Sequence, residues 1–169
     1  PGFGCTCSIY WVGATKLALS LIGRGTTSPL IAATVTSWIL SKAMPEYREV
    51  GGHQLYCYEW DNNGEALVLL HGGLSQTSHW DQNILPAVEE QFHVFGYDRT
   101  AHGFTGDRAG SLHFDYQVKE AIAYLETVVK EPAHLIGYSD GGIIALLVAI
   151  ARPDLVRSAV TLGANFHHS

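Results

Sequence analysis

From Glu46 onward the apolar residues fall into short runs separated by polar and glycine-rich breaks. Tyr47–Val50 and Gln54–Trp60 flank Gly51-Gly52, which predicts two strands joined as a hairpin. Asp61-Asn62-Asn63-Gly64 is a turn cluster. Ala66–Leu70 is apolar throughout, as expected of a strand buried on both faces. Trp80–Gln91 reads as a helix that Pro86 shortens or kinks. Phe92–Tyr97 is the next buried strand. Phe114–Val129 is a helix with Val118, Ile122, Leu125 and Val129 on one face. Ala133–Tyr138 is a strand, Asp140–Ala151 an apolar and therefore buried helix, and Val156–Leu162 the last strand.

From residue 66 this order is β-α-β-α-β-α-β, which implies an α/β fold. Its sheet is mostly parallel, with right-handed crossovers and helices on both faces. Ligands of such sheets bind beyond the carboxyl ends of the strands. That directs attention to His71-Gly72-Gly73, Asp98-Arg99 and Ser139.

Residues 1–45 break the pattern. They are rich in Ser and Thr and hold Lys16, Arg24 and Lys42 with no acid, whereas residues 46–169 carry all 16 acidic residues. The shift places a boundary near Met44-Pro45, with 1–45 an atypical N-terminal extension and 46–169 the folded domain. Gly25–Ser41 is uncharged over 17 residues, short for a membrane span and diluted by Ser and Thr. Leu30, Ile31, Val35, Trp38 and Ile39 recur at helical spacing instead. Membrane association of 1–45 is the less favoured reading, beside a loose extension or sequence foreign to the fold.

At 169 residues the chain is long enough for one domain with a real core. Its net charge of −6 argues against a nucleic-acid partner. Three cysteines, Cys5, Cys7 and Cys57, are too few for a disulfide scaffold and badly spaced for zinc. Nine histidines include no H-E-x-x-H or similar spacing, so no metal is expected. The acid-rich part suits a cytoplasmic protein.

Gly137-Tyr138-Ser139-Asp140-Gly141 matches G-x-S-x-G between a predicted strand and a predicted helix. A sharp turn there lifts a serine hydroxyl above the sheet edge. It also places the hydroxyl at a helix N-terminus, where backbone N–H groups favour developing negative charge. Side chains two residues either side would clash, hence the glycines. Eighteen glycines make a bare match unremarkable, so the strand–turn–helix context and Gly142 carry the signal. The strand running into His71-Gly72-Gly73 supplies the second half of such a site. One oxyanion donor would be the N–H of Asp140 and the other that of Gly73, with Leu74 as the runner-up. His71 itself reads as a brace for its loop rather than as a base.

On these residues the sequence resembles the α/β-hydrolase superfamily over 46–169. The resemblance rests on Leu-Leu-His-Gly-Gly at 69–73, Tyr-Asp-Arg-Thr-Ala-His-Gly-Phe-Thr at 97–105 and Gly-Tyr-Ser-Asp-Gly-Gly at 137–142. Arg-Pro-Asp-Leu-Val at 152–156 and Leu-Gly-Ala-Asn at 162–165 extend it. Within the superfamily it is similar to the biphenyl-hydrolase-like serine hydrolases, the group that includes valacyclovir hydrolase. The resemblance implies attack by Ser139 on an ester-type carbonyl of a small-molecule substrate. Gly73 and Asp140 N–H groups would hold the oxyanion, a histidine and an acid would assist, and no cofactor would be needed. A serine at this position disfavours the dehalogenase and epoxide-hydrolase chemistries of the fold, which use aspartate. Asp140 counts mildly against the cofactor-free haloperoxidases, which usually carry an uncharged residue there. Asp98 and Arg99 are expected to brace their loop as a pair, and His102 to be structural. The Asp140 carboxylate could recognise a substrate ammonium or cap the helix.

The family's acid and histidine follow later strands than those seen here. Asp154 sits at the wrong end of the sheet, and His167 and His168 lie in the segment leading to the family's lid. The sequence is therefore expected to represent a hydrolase domain incomplete at its C-terminus, lacking two triad members, with Val156–Leu162 as an exposed edge. The competing expectation is a non-catalytic binding module on the same fold.

Overall fold

The computed structural model describes residues 45–165. The predicted N-terminal extension, its possible membrane association, and His167 and His168 lie outside the described residues. Within them no helix is long and apolar enough to cross a membrane.

The hairpin forms as the glycine pair predicts. Strands β1 (Glu46–Val50) and β2 (His53–Trp60) pair antiparallel, with Val50 opposite His53. Gly51 and Gly52 turn the chain at φ of 59° and 85°, a left-handed pair suited to a two-residue hairpin loop. Strand β3 (Glu65–Leu70) shows why an unbroken apolar run means burial on both faces. Ala66, Val68 and Leu70 enter one core cluster, and Leu67 and Leu69 enter the other.

The sequence expectation fails in one place between β3 and β4 (Phe92–Asp98). A single helix over Trp80–Gln91 does not form. A 3₁₀ turn at Thr77–Trp80 is followed by turns and by a four-residue helix α1 (Leu85–Val88). Proline lacks an N–H and is tolerated only in a first helical turn, so the helix starts late enough to put Pro86 there. Helix α2 (Phe114–Tyr124) also ends earlier than expected, passing into a π-helical turn over Leu125–Val129. Lys130 closes that turn in the left-handed conformation, its N–H donating to the Leu125 carbonyl at 2.8 Å. The predicted face does meet the core, with Leu125 and Val129 buried in the turn that follows α2, but the buried surface of α2 itself is wider than predicted. Glu120, Ala121 and Tyr124 are buried, while Val118 and Ile122 pack only at the core margin.

Strand β5 (Ala133–Tyr138), helix α3 (Asp140–Ala151) and strand β6 (Val156–Leu162) complete the order. The six strands form one sheet in the order β1-β2-β4-β3-β5-β6. The β1–β2 and β2–β4 pairs are antiparallel; β4–β3, β3–β5 and β5–β6 are parallel. Helices α2 and α3 cover the face with Val68, Phe95, Tyr97 and Leu135. The 3₁₀ turn and α1 cover the face with Trp60, Leu67, Leu69 and Val94. This is the expected α/β architecture, with a mostly parallel sheet. Helix α3 buries only one side, through Ile144, Ala145 and Val148, and leaves Ile150 73% exposed. Strand β6 lies at the sheet edge, and Arg157–Val160 are exposed.

The topology fixes where a ligand would sit. The chain leaves β3 for β4 on one side and then crosses to β5 on the other. The crevice at the carboxyl end of β3 is thus a switch point. His71-Gly72-Gly73 and Ser139 meet there.

Candidate active site

Ser139 is the single residue between β5 and α3, at φ 52° and ψ −118°. That left-handed backbone is costly for a residue with a side chain, and such strain persists only where the surroundings enforce it. The backbones around it approach so closely that only glycine fits on either side. A Cβ on Gly137 would stand 2.3 Å from the Gly141 carbonyl oxygen, and one on Gly141 would stand 2.0 Å from that of Leu70. The Ser139 N–H is tied to the Leu162 carbonyl at 2.8 Å. Its own carbonyl accepts from the N–H groups of Gly142 and Ile143 in the first turn of α3.

The loop after β3 lies directly against this turn. A Cβ on Gly72 would be 3.3 Å from that of Ser139, and one on Gly73 would be 2.6 Å from Asp140 Oδ2. The three residues singled out from sequence, Ser139, Asp140 and Gly73, are therefore brought together. No hydrogen bond to the N–H of Gly73 or Asp140 is found among the described residues.

Two buried side chains hold this loop from below. His71 Nδ1 donates to the Gly72 carbonyl at 2.8 Å, and His71 Nε2 accepts the Arg99 N–H at 3.0 Å. Both ring nitrogens are thus in use and the ring is neutral. Burial, with the Arg99 charge nearby, pushes its pKa down to about 3. That arrangement suits the brace anticipated from sequence and leaves no lone pair for a base. Arg99 is 1% exposed. Its Nη2 donates to the same Gly72 carbonyl at 2.8 Å, and its Nη1 donates to Gln117.

The expected Asp98–Arg99 pair does not form. Asp98 is fully buried on the other face, where Oδ1 accepts the Thr77 N–H at 2.8 Å. Its Oδ2 accepts the Phe104 N–H at 2.9 Å and the Tyr58 hydroxyl at 3.3 Å. Side chains of successive strand residues point to opposite faces, so neighbours at the end of β4 brace different loops. Asp140 is instead the carboxylate nearest Arg99, at 4.0 Å from Nη2. This contact and the proximity of Gly73 place the Asp140 side chain over the loop.

His102 Nδ1 donates to the Thr100 carbonyl at 2.9 Å, in keeping with a structural role. Gln117 and Glu120 were not among the sequence candidates. Glu120 is buried and accepts from the Thr100 N–H at 3.2 Å, the Thr100 hydroxyl and the Tyr116 hydroxyl. The signal for both was a second helical stripe, Gln117-Glu120-Ala121-Tyr124, masked by its polar start.

A cleft of about 310 Å³ opens beside Ser139, lined by His71, Gly72, Trp80, Ile84, Tyr138 and Leu162 among others. A second, of about 540 Å³, is lined by Leu74, Ser75, His102 and Leu112 among others and shares Ser75 and His79 with the first. Among the described residues no hydrogen bond joins Ser139 to a histidine. No group of three or more His, Cys, Asp or Glu among them is placed to hold a metal ion. Cys57 is buried, which pushes its thiol up to about 12 and leaves it unreactive.

Comparison with known proteins matches residues 65–169 to a family described as the alpha/beta hydrolase fold. Pyrrolizixenacetamide deacetylase of Xenorhabdus hominickii is 32% identical over 118 residues, covering 69% of this chain and 43% of that protein. Monoglyceride lipase of Mus musculus is 29% identical over 128 residues, covering 71% and 42% respectively. The chain thus spans less than half the length of these curated relatives. Among solved structures, an epoxide hydrolase from Vigna radiata superposes with a TM-score of 0.69 at 19% identity, covering 76% of this chain and 42% of that one. At that identity the likeness speaks for the fold alone.

Proposed function

Since the chain belongs to the α/β-hydrolase family, we propose that it carries the nucleophile half of a serine hydrolase acting on ester-type bonds of small molecules. Ser139 Oγ attacks the carbonyl carbon and its proton passes to a base, which hands it to the departing alcohol as the ester C–O bond breaks and the acyl group stays on Ser139. The Gly73 and Asp140 N–H groups hold the developing oxyanion, and water later releases the acyl group. The carrying observation is the strained backbone of Ser139, φ 52°, held by its bonds to Leu162 and to the first turn of α3, accommodated by glycines on both sides and set against the Gly72–Gly73 loop. Leu74 in the facing loop also has positive φ, 51°; at Ser139 the strained backbone carries a hydroxyl at the switch point, which supports a use in catalysis. The names of the relatives, a deacetylase and a lipase, accord with hydrolysis at a carbonyl. A histidine base and its carboxylate complete such a mechanism, and we assign neither within residues 45–165. The domain boundary near Glu46 is supported by β1 and β2, which pair into the same sheet as the rest.

The test is acylation by an activated ester, with the adduct mapped by mass spectrometry. Oxyanion stabilisation alone sustains about a thousandfold acceleration when a triad is incomplete. Ser139 is expected to acylate well ahead of Ser75, Ser78 and Ser158, and the preference is expected to vanish on denaturation and in Ser139→Ala. Equal labelling of all serines in the folded chain would favour a non-catalytic module on this fold and overturn the proposal.

A further inference from the structure

We propose that Arg99 is a positioning residue for the oxyanion hole: it turns the Gly72–Gly73 peptide so that the Gly73 N–H is presented outward, and it offsets the Asp140 carboxylate beside that N–H. The inference rests on the serine-hydrolase reading for its catalytic consequence, though not for its structural one.

A trans peptide is planar, so the carbonyl of one residue and the N–H of the next point in opposite directions. The Gly72 carbonyl is drawn inward by two buried donors, His71 Nδ1 and Arg99 Nη2, each at 2.8 Å. The Gly73 N–H must then point the other way. Glycine at both positions makes this peptide free to rotate, so something other than local sterics has to fix it. His71 is a covalent neighbour of the loop and moves with it. Arg99 comes from the end of β4, in the adjacent strand, and is itself held at Nη1 by Gln117 of α2. It anchors the loop to the sheet.

The second part concerns charge. Asp140 must supply a backbone N–H next to an incipient oxyanion, yet its side chain is a carboxylate, and Oδ2 lies close over Gly73. An uncompensated negative charge there would oppose the transition state. The nearest cation is the Arg99 guanidinium, 4.0 Å from Oδ2. The other ionisable groups packed around Arg99 are His71, held neutral, and Tyr97 and Glu120 on its inner side. The placement is expensive. Arg99 Nε is buried and has no hydrogen-bond partner among the described residues, and taking a guanidinium out of water costs stability that a carboxylate at 4.0 Å repays only in part. A stability device would not be built in this way.

Two measurements test this in Arg99→Met, Arg99→Lys and the double variant Arg99→Met/Asp140→Asn. The first needs no reactivity: the ¹⁵N–¹H signal and exchange rate of the Gly73 amide, with Gly106 as an internal control. Arg99→Met is expected to shift or broaden Gly73 and leave Gly106 alone, and Arg99→Lys to restore part of the wild-type signal. The second is the rate at which a fluorophosphonate modifies Ser139, forming the Oγ–P bond and expelling fluoride. Loss of one oriented donor predicts a fall of about a hundredfold in Arg99→Met. Recovery is expected in Arg99→Lys, and partial recovery in the double variant, where the carboxylate is gone. An unchanged Gly73 amide in folded Arg99→Met would overturn the peptide-orienting role. Equal rates in Arg99→Met and the double variant would overturn the charge-offsetting role. Should Arg99→Met not fold, Gln117→Leu removes the acceptor that holds Nη1, together with the Gln117 Nε2 bond to the Leu112 carbonyl, and an unmoved Gly73 amide there is equally fatal. Absence of labelling in the wild type would count against the serine-hydrolase reading and leave the amide measurement to decide this one.

Discussion

Acidification should unfold this domain through His71 before the carboxylates titrate. In the folded chain the ring is 1% exposed, donates from Nδ1 to Gly72 and accepts from Arg99 at Nε2. A proton on Nε2 would break the second bond and put a cation beside a buried guanidinium. The pKa is accordingly about 3, against an ordinary 6.5. Above pH 6.5 the ring is neutral whether the chain is folded or not, and nothing is lost. Below it the unfolded chain takes up a proton that the folded one refuses, so stability falls steadily until pH approaches 3. Each pH unit in that window costs about 1.4 kcal/mol, which makes the loss at pH 4.5 about 3 kcal/mol. Glu59, held low through its bonds to Arg48 and His93, acts in the same direction but below the ordinary 4.5. Glu89, raised by burial, acts weakly in the opposite direction near the lower end. The interval from 6.5 to 4.5 is therefore dominated by His71. Urea unfolding followed by fluorescence of buried Trp60 and Trp80 at pH 7.5 and 4.5 measures it, in wild type and in His71→Gln. The midpoint of the wild type should fall by about 1–2 M more than that of the variant over this interval. Parallel pH dependence in the two proteins would refute the reasoning, whatever the variant's stability at pH 7.5.

Four further variants probe contacts around the sheet. Gly137→Ala forces a Cβ to 2.3 Å from a backbone oxygen that cannot swing aside, so a loss of about 3 kcal/mol and about 10 °C in Tm is expected by calorimetry. Gly106→Ala, with nothing within 4 Å, should stay within about 0.5 kcal/mol of wild type. Asp98→Asn turns a carboxylate that accepts three hydrogen bonds into a group with an inward-facing NH₂. It should lower stability by about 3 kcal/mol in urea titrations, and Tyr58→Phe, which removes only the longest of the three bonds, by less.

What the sequence reveals here follows the range of the interactions. The strained turn at Ser139 is a local event, dictated by glycines two residues away on either side, and a five-residue motif therefore reports it. Strand β3 is legible because burial on both faces removes every polar residue from the run. The region of residues 80–91 is not, because its helical periodicity and Pro86 conflict and the conflict is settled by where Trp80 and Leu85 pack, which is tertiary. Of the supports of the loop at Gly72, His71 is legible and the contacts of Arg99 are the least legible of all. They join residues 27 and 18 positions from Arg99, and a helix stripe beginning in Gln117 and Glu120 carries no hydrophobic signal.

The Asp98–Arg99 expectation failed for a different reason, because the information was present. Adjacency in sequence suggests an ion pair, but both residues stand at the end of a predicted strand, and a period of two sends them to opposite faces. That alternation alone is enough to separate the two supports. Asp98 must then brace the loops on the face of Tyr58 and Thr77, and Arg99 those on the face of α2. The consequence reaches the site itself. Freed from Asp98, the guanidinium has its charge available to Asp140 and its donors available to Gly72. An arginine neutralised by its own neighbour could have done neither.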